Sequence, residues 1–181
     1  LTQKDMLPDN LQKFDAIVTG VRAYNTEAWL SSAYDVLMQY VQQGGNLILQ
    51  YNTNNQIGPV RAKMSPYPFN ISRVRVTEEN ASVTMLQPNH AIFNYPNRIS
   101  NSDFDGWVQE RSVYQAEQLD KAYIALLEMN DTGETPSKGS LIVAPYGKGN
   151  FVYTGLALFR QLPAGVPGAY KLLANLLSMG R

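Results

Sequence analysis

FDAIVTGVRAYNTEAWLSSAYDVLMQYVQQGGNLILQY, residues 14–51, is the stretch of sequence that decides the fold. It opens with a short apolar run over 14–19 that ends at Gly20, the pattern of a buried parallel strand. A second apolar run, over 46–51, closes it. The residues between the two runs leave room for a crossover helix, so the stretch predicts a right-handed parallel βαβ unit.

The segment between the two predicted strands carries a helical pattern. Apolar residues recur every three or four positions from Trp29 to Val41, which would place them on one face of a helix. Thr26 is a suitable N-cap for this helix, and Gly44-Gly45 is a suitable end. We therefore expect one amphipathic helix that begins after Thr26 and packs on the sheet.

The middle of the chain is less regular. Residues 52–70 read as a loop, and residues 71–114 as short strands with irregular connections, because prolines interrupt any longer alternation. Residues 122–127 form an apolar run that predicts a strand, and residues 131–136 predict a turn.

The C-terminal part adds a hairpin and a closing helix. Apolar runs over 140–144 and 150–154 flank Tyr146-Gly147-Lys148-Gly149, which predicts an antiparallel pair rather than a phosphate-binding loop. A helix is expected over 169–179. Its inner face is predicted to be formed by Leu172, Leu173, Leu176 and Leu177. The chain is thus expected to be one α/β domain, with a mostly parallel sheet flanked by helices.

Composition excludes several classes of function. A chain of 181 residues with 44% hydrophobic residues suits one globular domain. Its 15 basic and 15 acidic residues cancel, which argues against nucleic acid or an anionic membrane as a partner. There is no cysteine and His90 is the one histidine, so a thiolate site, a multi-histidine metal site and a cysteine nucleophile are excluded. No metal or other cofactor is expected.

Four motifs resemble a known family. They are Gly20-Val21-Arg22-Ala23-Tyr24-Asn25, Gln50-Tyr51-Asn52, the segment DFDGWVQER at 103–111, and the stretch 153–177 with Phe159-Arg160-Gln161-Leu162-Pro163. Together they resemble the domain that follows the catalytic domain in long bacterial PIG-L-type deacetylases, which are zinc-dependent and remove acetyl groups from N-acetylglucosamine-type sugars. The resemblance implies a flavodoxin-like fold of the class I glutamine-amidotransferase-like kind, similar to non-catalytic relatives such as trehalose-utilisation-like domains and the trimerisation domain of some β-galactosidases.

The resemblance covers nearly the whole chain, 1–181, and implies a single accessory domain. The first strand and helix of the fold would precede Leu1. Active amidotransferases carry a cysteine after the strand matching 46–51, where this sequence has Gln50-Tyr51-Asn52-Thr53, and a histidine and a glutamate where it has Leu158-Phe159-Arg160-Gln161. The resemblance therefore implies a domain without catalysis, partnered by a deacetylase domain of the same chain. It allows an oligomer and favours the bacterial periplasm or secretion.

Ligand-binding candidates follow the predicted strands. In doubly wound sheets, ligands sit beyond the carboxyl ends of the strands. Three such ends carry Arg22, Tyr24 and Asn25; Gln50, Tyr51, Asn52 and Asn54; and Arg160 and Gln161. Amides, aromatic rings and arginines are suited to a sugar, but the same side chains could instead brace loops. We expect Arg22, Asn52 and Arg160 to share one pocket at the carboxyl edge of the sheet.

Three carboxylates offer alternative readings. Asp103, Asp105 and Glu110 could serve as acid and base in a glycoside hydrolase, or bind calcium, although their spacing matches no EF-hand. Glu110, beside Trp107, fits better as part of an arginine–carboxylate brace around a buried tryptophan. A pure oligomerisation module is a further alternative.

Overall fold

The main sheet is mixed and largely parallel. The computed structural model describes residues 1–54 and 62–179, and within these ranges the sheet has five strands. Their order across the sheet is β1 (Ala16–Thr19), β2 (Asn46–Gln50), β9 (Gly149–Thr154), β8 (Leu141–Tyr146) and β6 (Ile124–Ala125). β1, β2 and β9 run parallel, whereas β8 is antiparallel to both β9 and β6. The predicted parallel unit and the predicted hairpin are both confirmed.

Alternate residues of the central strands supply two cores, one on each face of the sheet. On β2, Ile48 enters one core and its neighbours Leu47 and Leu49 enter the other. On β9, Val152 lies with Ile48, and Phe151 and Tyr153 lie on the opposite face. Because both faces are covered, these strands are continuously apolar rather than alternating, as their sequences indicate.

The predicted crossover helix is divided into three pieces. They are α2 (Ala23–Thr26), a 3₁₀ segment (Ala28–Ala33) and α3 (Tyr34–Gln42). Thr26 is therefore the last residue of α2 and not the N-cap of the long helix. The prediction was wrong because Asn25 and Thr53 exchange two hydrogen bonds, which fix a separate turn against the end of β2. The helix does end before Gly44, whose φ of 121° suits glycine.

The middle of the chain forms two small antiparallel pairs. β3 (Asn70–Ile71) pairs with β5 (Ala116–Glu117), and β4 (Val83–Met85) pairs with β7 (Leu127–Met129). The strand predicted over 122–127 is therefore divided between two sheets. Its break is Leu126, which donates its N–H to Leu141 and accepts one from Leu86. The part of the predicted loop at 55–61 lies outside the described residues.

The helical segments that remain are short, apart from the closing helix. α1 (Pro8–Leu11) precedes β1, α4 (Leu158–Gln161) follows β9, and α5 (Pro167–Leu177) ends the fold. Further 3₁₀ turns lie at Gln3–Asp5, Ala91–Phe93 and Asn101–Phe104.

The inner face of α5 is rotated relative to the prediction. Leu172 and Leu176 are buried, but Leu177 is exposed and Leu173 is only partly buried. Asn175 faces inward instead, because its amide binds the backbone of Ile92 and Asn97. A polar residue with its hydrogen bonds satisfied thus takes a core position that the apolar pattern had assigned to leucine.

Candidate functional site

The carboxyl ends of β1, β2 and β9 meet at one edge of the sheet because the three strands are parallel neighbours. The segments that leave this edge begin at Gly20, Tyr51 and Gly155. All the predicted ligand-binding side chains lie on these segments or at the ends of the strands themselves.

The amide side chains at this edge are occupied by the backbone. Asn52 is fully buried, accepts the N–H of Tyr24 at 2.9 Å and donates to the carbonyl of Gln50 at 3.2 Å. Gln50 in turn donates to the carbonyl of Thr19 at 3.1 Å. Asn25 joins the same network through Thr53, at 2.8 and 3.0 Å. These amides hold the loop after β1 against the loop after β2.

Two further candidates brace the loops that pack beside the edge. Asn54 donates to the carbonyl of Ile71 at 2.7 Å. Gln161 is fully buried, accepts the N–H of Val108 at 2.8 Å and donates to the carbonyls of Val108 and Glu110. Because these hydrogen bonds use the amide groups, Asn52 and Gln161 present no polar atom to a ligand in this structure.

Three aromatic rings lie together at the same edge of the sheet as these amides. The ring of Tyr51 stacks on that of Tyr114, with centroids 5.8 Å apart and planes 10° from parallel. Phe159 lies against the same ring at 5.5 Å. All three residues are partly buried, so their rings are neither core nor fully solvated. The sequence analysis did not name Tyr114 or Phe159 as ligand-binding candidates. Tyr114 was missed because it belongs to the irregular segment 71–114, whose path the sequence does not predict.

Glu110 lies beside these rings and holds two arginines. It is almost fully buried, with Oε1 accepting from Arg160 Nε at 2.9 Å and Oε2 accepting from Arg75 Nη2. Arg160 also contacts Gln109 and lies over the ring of Phe159, 5.0 Å from its centroid. The prediction that Glu110 pairs with arginine is confirmed, but its arginines come from positions distant in sequence. The predicted brace around Trp107 was wrong in its members, because the arginine at that ring is Arg111, which does not pair with Glu110 among the described contacts.

Arg22 completes this group from the loop after β1. Its backbone N–H donates to the carbonyl of Tyr51 at 2.8 Å, and its side chain makes no hydrogen bond or ion pair within the described part of the chain. Burial, the largest effect, raises the pKa of Tyr51, while the positive charges of Arg22 and Arg160 oppose that rise. The charges of Arg22 and Arg160 therefore both lower the pKa of the Tyr51 phenol. Asn52 is the next residue after Tyr51 in the sequence.

We call this surface the Tyr51 platform. It consists of Tyr51, Tyr114, Phe159, Arg22, Arg75 and Arg160, with Glu110 beneath. Among the described residues that are not glycine, four have positive φ, and two of these belong to the platform: Arg22 at 59° and Tyr114 at 50°. A third, Gln109 at 65°, contacts Arg160. Such conformations are strained for ordinary side chains and concentrate at functional sites.

The Trp107 segment packs against α5. Trp107 is buried and donates its indole N–H to the carbonyl of Asp103 at 3.0 Å, and the guanidinium of Arg111 lies 5.9 Å from its ring centroid. Burial alone would raise the pKa of Asp103, but hydrogen bonds from Lys171 and Ser100 outweigh it and lower the pKa. A general acid needs a raised pKa, so Asp103 is unsuited to that part of glycoside hydrolysis.

The remaining predicted positions have structural roles. His90 caps the 3₁₀ turn at Ala91–Phe93, where its Nδ1 accepts the N–H of Ile92 at 3.2 Å. Gly147 has a φ of 61° in the turn between β8 and β9. Within the ranges that the structure describes, no group of three acidic or histidine side chains is placed to hold a metal ion. None of the described helices is long and apolar enough to span a bilayer.

Two grooves are lined by none of the platform residues. One, of about 430 Å³, is lined by the predicted ligand-binding residue Asn54 together with residues including Tyr34, Lys63 and Tyr67. The other, of about 470 Å³, runs along the outer edge of β1, where Phe14 and Val18 are exposed. At the platform, the side chains of Arg75 and Arg160 are 47% and 35% exposed, whereas Asn52 is fully buried. The prediction that Asn52 shares a pocket with Arg22 and Arg160 was therefore wrong, because Asn52 presents no surface to solvent.

Comparisons with known proteins identify the fold but no family. No family model matches the sequence, and no curated protein matches it. Two cytoplasmic proteins of Salmonella typhimurium have similar structures. STM1381, from strain LT2, has a TM-score of 0.63 at 15% identity, and STM3548 has 0.60 at 16%. Each match covers 97% of this chain and 76% of the other protein.

A cold-adapted β-galactosidase from Rahnella sp. R3 has a TM-score of 0.50 at 18% identity. That match covers 94% of this chain but 24% of the much longer enzyme. None of these three names refers to a sugar deacetylase. At such low identity the likeness shows an α/β fold and carries no activity to this chain.

Proposed function

We propose that this chain is a non-catalytic accessory domain that binds carbohydrate on the Tyr51 platform and supports the catalytic domain of a PIG-L-type sugar N-deacetylase. Its sheet would be the flavodoxin-like sheet of the class I glutamine-amidotransferase-like fold. The observation that carries the proposal is the placement of three aromatic rings and three arginines at the carboxyl edge of that sheet.

The chemistry of the platform suits a sugar. Aromatic rings offer flat apolar faces on which the C–H face of a pyranose can lie, and the phenols supply polar atoms at the ring edges. Arginine side chains supply several N–H donors in a fixed plane, which match the hydroxyl and carboxyl oxygens of sugars. Parallel sheets bind their ligands at this same edge.

The same positions argue for binding without turnover. The resemblance places the cysteine of active amidotransferases in the neighbourhood of Gln50-Tyr51-Asn52-Thr53, and their histidine at Arg160. Tyr51 is stacked between Tyr114 and Phe159, and Arg160 is held by Glu110. Neither side chain is a nucleophile paired with a base, which acyl transfer requires.

A glycan-binding screen with a matched pair of tyrosine variants tests the proposal. Tyr51→Ala should abolish binding of any glycan that the wild type retains, because it removes the central ring of the platform. Tyr95→Ala is the control, since Tyr95 is 55% exposed and lies near Asn150 at the opposite edge of the sheet. Equal binding by the two variants, or no binding by the wild type, would contradict the proposal.

A further inference from the structure

The platform concentrates positive charge on a chain that has none in excess. The whole sequence has a formal net charge of zero. At the platform, the guanidinium groups of Arg75 and Arg160 bind one buried carboxylate, Glu110, and the positive charge of a third arginine, Arg22, acts on the neighbouring Tyr51. The nearest other acid in the hydrogen-bond network is Glu79, which accepts the backbone N–H of Gln109. Even when Glu79 is counted, positive charge remains in excess, so the surface attracts anions.

Glu110 fixes the direction of two of these arginines. It occupies Nη2 of Arg75 and Nε of Arg160, and Gln109 occupies Nη1 of Arg160. The other N–H groups of these two guanidiniums make no hydrogen bond to any residue that the structure describes. Because the buried carboxylate holds the side chains in place, little entropy is lost when the free N–H groups bind a ligand.

Arg22 supplies a third positive charge, from the loop after β1. It is held in the left-handed conformation, with φ at 59°, and its backbone N–H is bound to Tyr51. Its guanidinium has no partner among residues 1–54 and 62–179. A strained backbone at an arginine whose guanidinium is unpaired, and whose charge acts on the Tyr51 phenol, is difficult to explain by stability alone.

A neutral sugar would use the rings but leave this charge unmatched. A carboxylate bound by arginine forms charge-assisted hydrogen bonds, which are about twice as strong as neutral ones. Nucleic acid needs a longer basic track than three arginines on a neutral chain. The combination of an apolar ring face and nearby guanidinium donors fits a pyranose that carries one carboxylate.

We propose that the Tyr51 platform recognises acidic saccharides of the uronate or sialate class. The sugar ring lies over Tyr51 and Tyr114, and its carboxylate is bound between Arg22 and the arginines fixed by Glu110. This inference rests on the proposed carbohydrate-binding function and specifies its ligand class.

The test is calorimetric titration with uronate- and sialate-containing oligosaccharides, each beside its methyl ester. At least one acidic member should bind more tightly than its ester, by about tenfold or more, the scale of one hydrogen bond to a charged group. Arg22→Gln should abolish that difference. Arg98→Gln, at an exposed arginine that forms no ion pair with residues 1–54 or 62–179, should preserve it.

The outcomes separate this inference from the proposed function. If acids and esters bind equally and Tyr51→Ala abolishes both, the acidic specificity is wrong and the platform remains a carbohydrate site. Preference for sulfated oligosaccharides alone would overturn the carboxylate assignment. If no oligosaccharide in the panel binds, both this inference and the proposed function are contradicted.

Discussion

Nε of Arg160 lies 2.9 Å from Oε1 of Glu110, and this contact joins helix α4 to the segment that follows Trp107. Arg75 binds the other oxygen of the same carboxylate, so one buried side chain connects three separate parts of the chain. The two ion pairs therefore hold the arginines of the platform in place. They also stabilise the fold, and this contribution can be measured by mutating Glu110.

Glu110→Gln should lower the free energy of unfolding by about 1–3 kcal/mol, because it leaves two arginines without their counter-ion. We expect a smaller loss in the free energy of unfolding than for a fully buried ion pair, because both arginine side chains are partly exposed to solvent. Urea unfolding measures the change, and Glu117→Gln, at an exposed glutamate, is the control. A double-mutant cycle with Arg75→Gln should show coupling; additive effects would contradict the brace.

Trp107→Ala should cost about 3–5 kcal/mol, because it opens a cavity among buried residues and removes the hydrogen bond to Asp103. Thermal or urea unfolding measures the loss. Trp29→Ala is the matched control and should cost less, since Trp29 is only partly buried and its indole N–H binds the exposed Glu27. Equal losses at the two positions would show that Trp107 is not a core residue.

Stability should fall in acid partly through Asp103. Its pKa is lower in the folded protein than the ordinary value, so the ionised carboxylate stabilises the fold above the unfolded-state pKa of about 3.9. That contribution is lost as the pH falls through the lower, folded-state pKa. Asp103→Asn should therefore reduce the urea midpoint at pH 7 and leave a smaller difference at pH 2. Asp9→Asn, at an exposed aspartate, should change neither midpoint appreciably.

Gly168→Ala should destabilise the fold by about 1–3 kcal/mol through overpacking. A Cβ built on Gly168 would lie 1.8 Å from the backbone carbonyl oxygen of Asp103, so α5 would have to move away from the Trp107 segment. Gly20→Ala is the control, because a Cβ at Gly20 meets no atom within 4 Å. If the two variants have the same melting temperature, α5 does not pack as closely as described.

The sequence predicts the elements that depend on continuous local patterns. β1, β2 and the β8–β9 hairpin are apolar runs next to glycines. β1 and β2 pair in parallel because a crossover joins them, whereas β8 and β9 pair antiparallel because a tight turn joins them. The division at Leu126 was not predictable in this way. It depends on hydrogen bonds to Leu86 and Leu141, which lie far apart in the sequence. The start of the crossover helix was missed for the same reason, because the Asn25–Thr53 contact overrides the local pattern.

The candidate site was predictable in position but not in detail. Parallel strands place Arg22, Tyr51 and Arg160 at one edge wherever the unit forms. Which side chains face solvent there depends on the irregular segment that supplies Tyr114 and Glu110. From the sequence alone, the amide side chains near this edge could either bind a ligand or brace the loops. Their hydrogen bonds to the backbone in the structure show that they brace the loops.

Asn52 and Arg22 provide the sharpest test of that separation. Asn52→Ala should lower the free energy of unfolding by about 1–3 kcal/mol, because it leaves the N–H of Tyr24 without its acceptor in a buried place. Arg22→Gln should change stability by less than about 0.5 kcal/mol, since the side chain is exposed and has no ion pair within the described ranges. The order of the two variants should be reversed for ligand affinity.

At a temperature where both variants are folded, Arg22→Gln should weaken binding of the acidic oligosaccharide, whereas Asn52→Ala should retain most of the wild-type affinity. If Asn52→Ala instead melts like the wild type and loses binding, the buried amide contacts the ligand after all, and the brace is the wrong description of this edge.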